Sequence, residues 1–202
     1  MAENKPSTAA KTSHVNMMVD TVVANLPAEG LRSIIRTQLA TSPAFTPFFL
    51  ENAQRYLRDT NRTAEGIFEY ISDSSGTLRP LATAKFDDFL RRIRAMVGSG
   101  LVFDAIPRIK EILQKASVLD GCDAGSEQAE ALVDCLSQLE GDIVQGVTAI
   151  QKVQVSRRLT EGERDLVVQL AEELKKCKAL AEQKDEEDLF ERGLEAVESL
   201  LG

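Results

Sequence analysis

Two stretches decide how this chain reads: SEQAEALVDCLSQLEGDIVQGVTAIQKVQVS at 126–156 and TEGERDLVVQLAEELKKCKALA at 160–181. In the first, Leu132, Leu136, Leu139, Ile143, Ile150 and Val153 recur at steps of three and four, with Gly146 filling the remaining position. In the second, Val167, Leu170, Leu174, Cys177 and Ala181 repeat the pattern. Such spacing puts each set on one stripe of an α-helix. At about 1.5 Å per residue the first helix would extend roughly 45 Å. Gly146 is its weak member: it admits a close neighbour but costs roughly 1 kcal/mol of helix preference relative to Ala.

A short polar break separates the two stripes, and a start signal follows it. Thr160 and Glu163 are spaced as a capping box, in which hydroxyl and carboxylate each accept from the other residue's amide. The expectation is a long antiparallel helical hairpin, hence a soluble all-α protein, with a helical-bundle or HEAT-like arrangement as the larger frame. Beyond 181 the interval 182–188 is charged. Leu189, Phe190, Leu194, Val197 and Leu201 then restart an apolar stripe, so residues 124–202 read as a hairpin with a C-terminal docking helix.

Upstream, residues 1–13 are small, polar and charged and read as a disordered tail. Residues 14–119 read as a compact helical domain. Met18, Val19, Val22 and Val23 make a first stripe, and Leu31, Ile34, Ile35 and Leu39 supply the core face of a helix entered near Pro27. Ser42-Pro43 and Thr46-Pro47 are further start signals, leading to Phe49, Ala53, Tyr56 and Leu57. Ala64, Ile67, Phe68 and Ile71 predict another packed helix, and 72–80 a loop. Thr83 caps a helix carrying Phe86, Phe89, Leu90, Ile93 and Val97, and Gly98-Ser99-Gly100 forms a turn. The last run of this domain holds Leu101, Val102, Ile106, Ile109, Ile112, Leu113 and Ala116. There Pro107, lacking an amide donor, predicts a kink or a start shifted toward residue 106.

Charge narrows the function classes. The formal charge is −8 over 202 residues, which disfavours indiscriminate nucleic-acid binding. It is unevenly spread: +3 over 1–119, −4 over 120–159 and −7 over 160–202. No window has the length of a membrane-spanning helix and the start is no apolar signal core. Three cysteines, Cys122, Cys135 and Cys177, match no close metal-ligand spacing and suit a reducing interior, cytoplasmic or nuclear.

Chemistry-bearing patterns are sparse. His14 is the single histidine and lies beside the tail, without a nearby partner for acid–base or nucleophilic work. Asp87 and Asp88 are adjacent, so on a helix they point about 100° apart and make a poor carboxylate pair. Cys135 and Cys177 read as small packing residues, out of register for a disulfide. Gly98-Ser99-Gly100 lacks the Gly-Lys-Ser/Thr context of a phosphate loop. The expectation is therefore no catalytic residue, no metal site and no cofactor.

Two kinds of surface are partner-binding candidates. Arg91, Arg92 and Arg94 form the strongest basic cluster, with Arg108 and Lys110 following, while Arg55, Arg58 and Arg62 make a second stripe. Leu189, Phe190, Leu194 and Val197 either dock into another chain or close the chain's own bundle. The reading is a non-enzymatic interaction adaptor or assembly subunit that binds a protein partner or a second copy. Its rival is an electrostatic module for nucleic acid or an anionic membrane.

Overall fold

The computed structural model describes residues 19–60, 63–72, 78–117, 127–184 and 189–202. Residues 19–25 are helical. Then follow α1 (Ala28–Thr41), α2 (Phe45–Asp59), β1 (Phe68–Ser72), β2 (Leu78–Ala82), α3 (Ala84–Gly98), α4 (Val102–Ala116), α5 (Glu127–Ser156), α6 (Glu161–Lys184) and α7 (Glu191–Leu201). The class is all-α, with one small antiparallel hairpin added. The chain separates into two units, 1–52 and 53–202, the division falling within α2. The expected boundary at 120–123 lies outside the described residues, and α4 before it packs against α5 and α6 after it.

The first unit has no buried side chain in α1. Pro27 stands immediately before α1. The turn into α2 is fixed by Phe45 N–H donating to the Ser42 carbonyl (2.9 Å), with Pro47 in the first helical turn, where a missing donor costs nothing. Phe45 lies against Phe48 and Phe49 at centroid distances of 6.0 and 6.2 Å. The stripe Leu31, Ile34, Ile35 and Leu39 thus forms on schedule but covers no core: Ile34 remains 54% exposed.

The second unit is a helical bundle with one continuous core. Phe86, Leu90 and Ile93 of α3, Ile106, Ile112 and Leu113 of α4, and Leu139, Ile143 and Ile150 of α5 are fully buried, as are Val167 and Leu174 of α6. Leu132, Leu136 and Leu170 join them, while Val153 and Cys177 are half-buried, so both stripes face inward. Their partners differ from expectation. Among the described residues the close backbone approaches of α5 and α6 are to third elements. α4 and α7 each pack against both, and α5 also receives α3 and β2. Each stripe therefore meets third helices in place of a seam-to-seam coiled coil. Gly146 serves such a crossing, where a Cβ would lie 3.8 Å from Val102 of α4.

Residues 64–72 correct a second expectation. Ala64, Ile67, Phe68 and Ile71 fit a helical stripe, yet 68–72 is a strand. Gly66 has φ +68°, which ends any helix there. Ala64 and Ile67 still enter the core from the turn, and the Phe68 ring meets Phe86 at 5.4 Å. The segment 72–80, read as a loop, supplies β2 from Leu78 onward, while 73–77 lies outside the described residues. Register pairs Phe68 with Ala82 and Tyr70 with Pro80. Thr83 N–H donates to the Ile67 carbonyl (2.9 Å), so the bonded pairs are the odd-numbered ones of β1 and the Pro80 nitrogen points away from β1. Proline is tolerated there because no ladder bond is lost.

Thr83 caps α3 as expected, its hydroxyl accepting from Lys85 N–H at 3.2 Å. Gly98 to Gly100 turns the chain, with Gly100 at φ +90°. α4 begins at Val102, five residues before Pro107, so the proline does not move the start. The Thr160 capping box closes in both directions, at 2.8 and 3.2 Å.

Candidate functional site

The sequence-predicted binding residues are engaged inside the second unit. Phe190, Leu194 and Val197 are buried and Leu189 is half-buried, so the C-terminal stripe closes the bundle. Its seating is specific. Gly193 approaches α5 so closely that a Cβ would lie 3.4 Å from Ile143. The buried carboxylate of Glu140 on α5 accepts from the Arg192 amide (2.9 Å) and the Gly193 amide (3.4 Å), capping a helix whose preceding residue, Phe190, offers no side-chain cap. The same carboxylate holds the Arg192 guanidinium, whose pKa it raises.

The arginine cluster is likewise occupied. Arg94 Nε donates to both oxygens of Asp142 at 2.8 and 2.9 Å, and that carboxylate is 4% exposed. The pairing raises the Arg94 pKa, first through this hydrogen bond. Arg92 holds the end of α2 by donating to the Leu57 carbonyl and, at 3.0 Å, to Thr60. Arg91 pairs with Asp88 at 3.1 Å. Of the neighbouring cations, Arg58 meets Asp104, Arg108 meets Glu111 and Lys110 donates to Gln169. Arg62 lies outside the described residues, as do His14 and Cys122. Arg92, Arg94, Arg58 and Lys110 thus join different elements, whereas Arg91 and Arg108 pair within their own helices.

An open depression of about 660 Å³ lies in the second unit where α2 ends beside α3, lined by Tyr56, Thr60, Glu65, Lys85, Asp88 and Arg92 among others. Two acids and two bases balance around it, and Arg92 is already committed to Leu57 and Thr60. Cys135 and Cys177 are half-buried, and burial pushes the Cys135 thiol up, away from nucleophilic thiolate character. Among the described residues no group of three or more His, Cys, Asp or Glu side chains is placed to hold a metal, and no helix is long and apolar enough to cross a membrane.

Exposed apolar side chains remain in both units: in the second they are the scattered Tyr56, Tyr70, Val133, Val155 and Val168, and in the first they recur on successive short segments. Val19, Val22 and Val23 of 19–25 are 50–56% exposed, Ile34 and Ile35 of α1 are 54% and 37%, and Phe48 of α2 is 61%. The helices carrying them are short, and isolated helices below about 12–15 residues are marginal in water. Sequence reasoning found these stripes except Phe48, and gave Ile34 and Ile35 to a core face. The available warning was that Pro27, Pro43 and Pro47 cut the segment into pieces each with one narrow face.

No protein-family model, curated protein or solved structure matches this chain.

Proposed function

We propose that this chain is a non-enzymatic interaction adaptor or assembly subunit, with the first unit as its docking element and the second as the folded body that carries it. One observation supports the reading above all: α1 is amphipathic, yet it buries none of its residues. A helix with a bare apolar stripe gains its stability from whatever covers that stripe. The body supports the reading from the other side, since its apolar stripes and strongest cations are spent on internal packing. The odd, sparse set of three cysteines supports a reducing compartment, cytoplasmic or nuclear, as the working location.

The test is amide hydrogen exchange across 31–39 in the isolated chain at low concentration and in its native assembly. Fast exchange in isolation and slow exchange in the assembly are expected. Slow exchange in the dilute isolated chain would sink the reading, because the stripe would already be covered.

A further inference from the structure

Where α5 turns into α6, the second unit projects beyond its own core. The α5 stripe is buried as far as Ile150 and the α6 stripe again from Val167, while no residue from 151 to 165 is buried. We propose that this tip docks a short acidic segment of another protein, which sets carboxylates on Lys152 and Arg158 and an apolar side chain on Val155. The proposal rests on the adaptor reading above only in needing a partner; the site itself lies wholly in the second unit.

Three observations carry it. The first is local charge. Residues 120–159 and 160–202 carry −4 and −7, yet no acidic side chain occurs from Ile143 to Thr160, where Lys152, Arg157 and Arg158 stand. Arg157 is spent on Glu163, but the side chains of Lys152 and Arg158 have no ion pair or hydrogen bond among the described residues. On the α6 side Arg164 is offset by Glu161 and Asp165, so the positive face belongs to the end of α5 and the turn.

The second is a shape fixed without help from the core. Arg157 donates to both oxygens of Glu163, at 2.6 and 2.7 Å, and to the Arg158 carbonyl at 3.0 Å. The capping box of Thr160 and Glu163 locks the same turn. A partner therefore meets a surface already ordered, which lowers the entropy cost of binding.

The third is Val155. At 89% it is the most exposed large hydrophobic side chain among the described residues, and it stands three positions after Lys152 on one flank of α5. An apolar group beside cations matches a peptide that carries carboxylates and an apolar side chain together. The rest of the molecule limits the size of that partner. With +3 in 143–160, the remainder of the chain carries −11. A nucleic acid or a charged bilayer extends far past the tip and meets that repulsion. A short segment stays at the tip, with the remaining charge screened over a Debye length of about 8 Å.

The experiment is fluorescence anisotropy of a labelled peptide of glutamates around a single leucine, titrated with the full chain at low and at physiological salt. The natural sequence is compared with Lys152→Glu plus Arg158→Glu and with Val155→Ser. Single-stranded DNA and vesicles of phosphatidylcholine with phosphatidylserine are titrated in parallel. The peptide should bind, and added salt should weaken it. The double charge reversal should lower affinity about tenfold and Val155→Ser about threefold. Urea unfolding should not change, because all three side chains are exposed. A peptide held equally well by both variants overturns the proposal, since its site lies elsewhere. Absence of peptide binding at low salt overturns it as well. DNA or vesicles bound at the tip in preference to the peptide overturn the choice of partner. None of these outcomes alters hydrogen exchange over 31–39, on which the adaptor reading stands or falls.

Discussion

Asp142 and Glu140 show how two acids come to lie within an apolar helix face. Each is buried on α5, and each faces an arginine on a different element, Arg94 of α3 and Arg192 of α7. Removing one member of a buried pair strands the other, at a cost of about 3 kcal/mol. Arg94→Ala should therefore destabilise the body by about that amount in urea unfolding, and Arg94→Ala with Asp142→Ala by clearly less. A double variant as unstable as the single one would show that the charge pair is not the cause. Glu140→Ala should cost about 2 kcal/mol through the lost cap, with exchange protection falling first at the amides of Arg192 and Gly193. Glu163 gives a pH signature. The Arg157 guanidinium, aided by the Thr160 amide and hydroxyl, lowers its pKa from 4.5 to about 2. A carboxylate depressed on folding stabilises fully above its unfolded value. The contribution is therefore complete above about pH 4.5 and drains away as pH falls toward 2. A carbon-detected NMR titration should place the midpoint near 2, and Arg157→Ala should return it upward. An unchanged midpoint in that variant would remove Arg157 as the cause.

Helices were legible wherever a stripe of three and four ran long enough; what each stripe touches was not. Leu132, Leu139, Ile143, Val167 and Leu174 were correctly read as inward-facing, because periodicity specifies a face. It does not name the neighbour, and α4 and α7 took the places that α5 and α6 were expected to fill for each other. The hairpin at 68–82 was missed because 64, 67, 68 and 71 mimic helical spacing. The deciding fact is the left-handed conformation of Gly66, which no residue count displays. Glu140 and Asp142 were missed for a related reason, since an acid beside a stripe looks solvated until the opposing arginine is seen. The tight α7 crossing carries its own prediction. Gly193→Ala gains helix preference of about 1 kcal/mol while its methyl just meets Ile143 at 3.4 Å. Its net effect should thus stay within about 1 kcal/mol of zero. Gly193→Leu should lose about 3 kcal/mol in the same unfolding measurement, by forcing α7 away from α5.

Across the whole molecule, apolar surface is distributed in two ways. The body turns its leucine and isoleucine stripes inward and leaves only scattered side chains such as Tyr56 and Val155 outside, whereas the first unit leaves Val22, Ile34 and Phe48 more than half exposed. Equivalent substitutions should then separate by location. Ile34→Glu should move the unfolding free energy of the body by less than about 0.5 kcal/mol, as surface changes do. Leu139→Glu, which puts a carboxylate at a fully buried position, should cost more than about 4 kcal/mol or prevent folding outright. Circular dichroism during denaturation distinguishes the two, and equal losses at both sites would contradict the division. The outward stripes themselves were visible in the sequence. Their exposure was not, because a pattern of apolar residues looks the same whether its cover comes from the same chain or from outside.

The reach of Glu140 also orders events during synthesis. It is made some fifty residues before the amides of Arg192 and Gly193 that it accepts from. A ribosome that has passed α5 and α6 therefore holds out a helix with an unanswered acid and the bare Ile143 flank, until residues 191–201 emerge. Nascent chains arrested in that interval should be cut readily by proteases, and emergence of residues 191–201 should bring resistance in a single step.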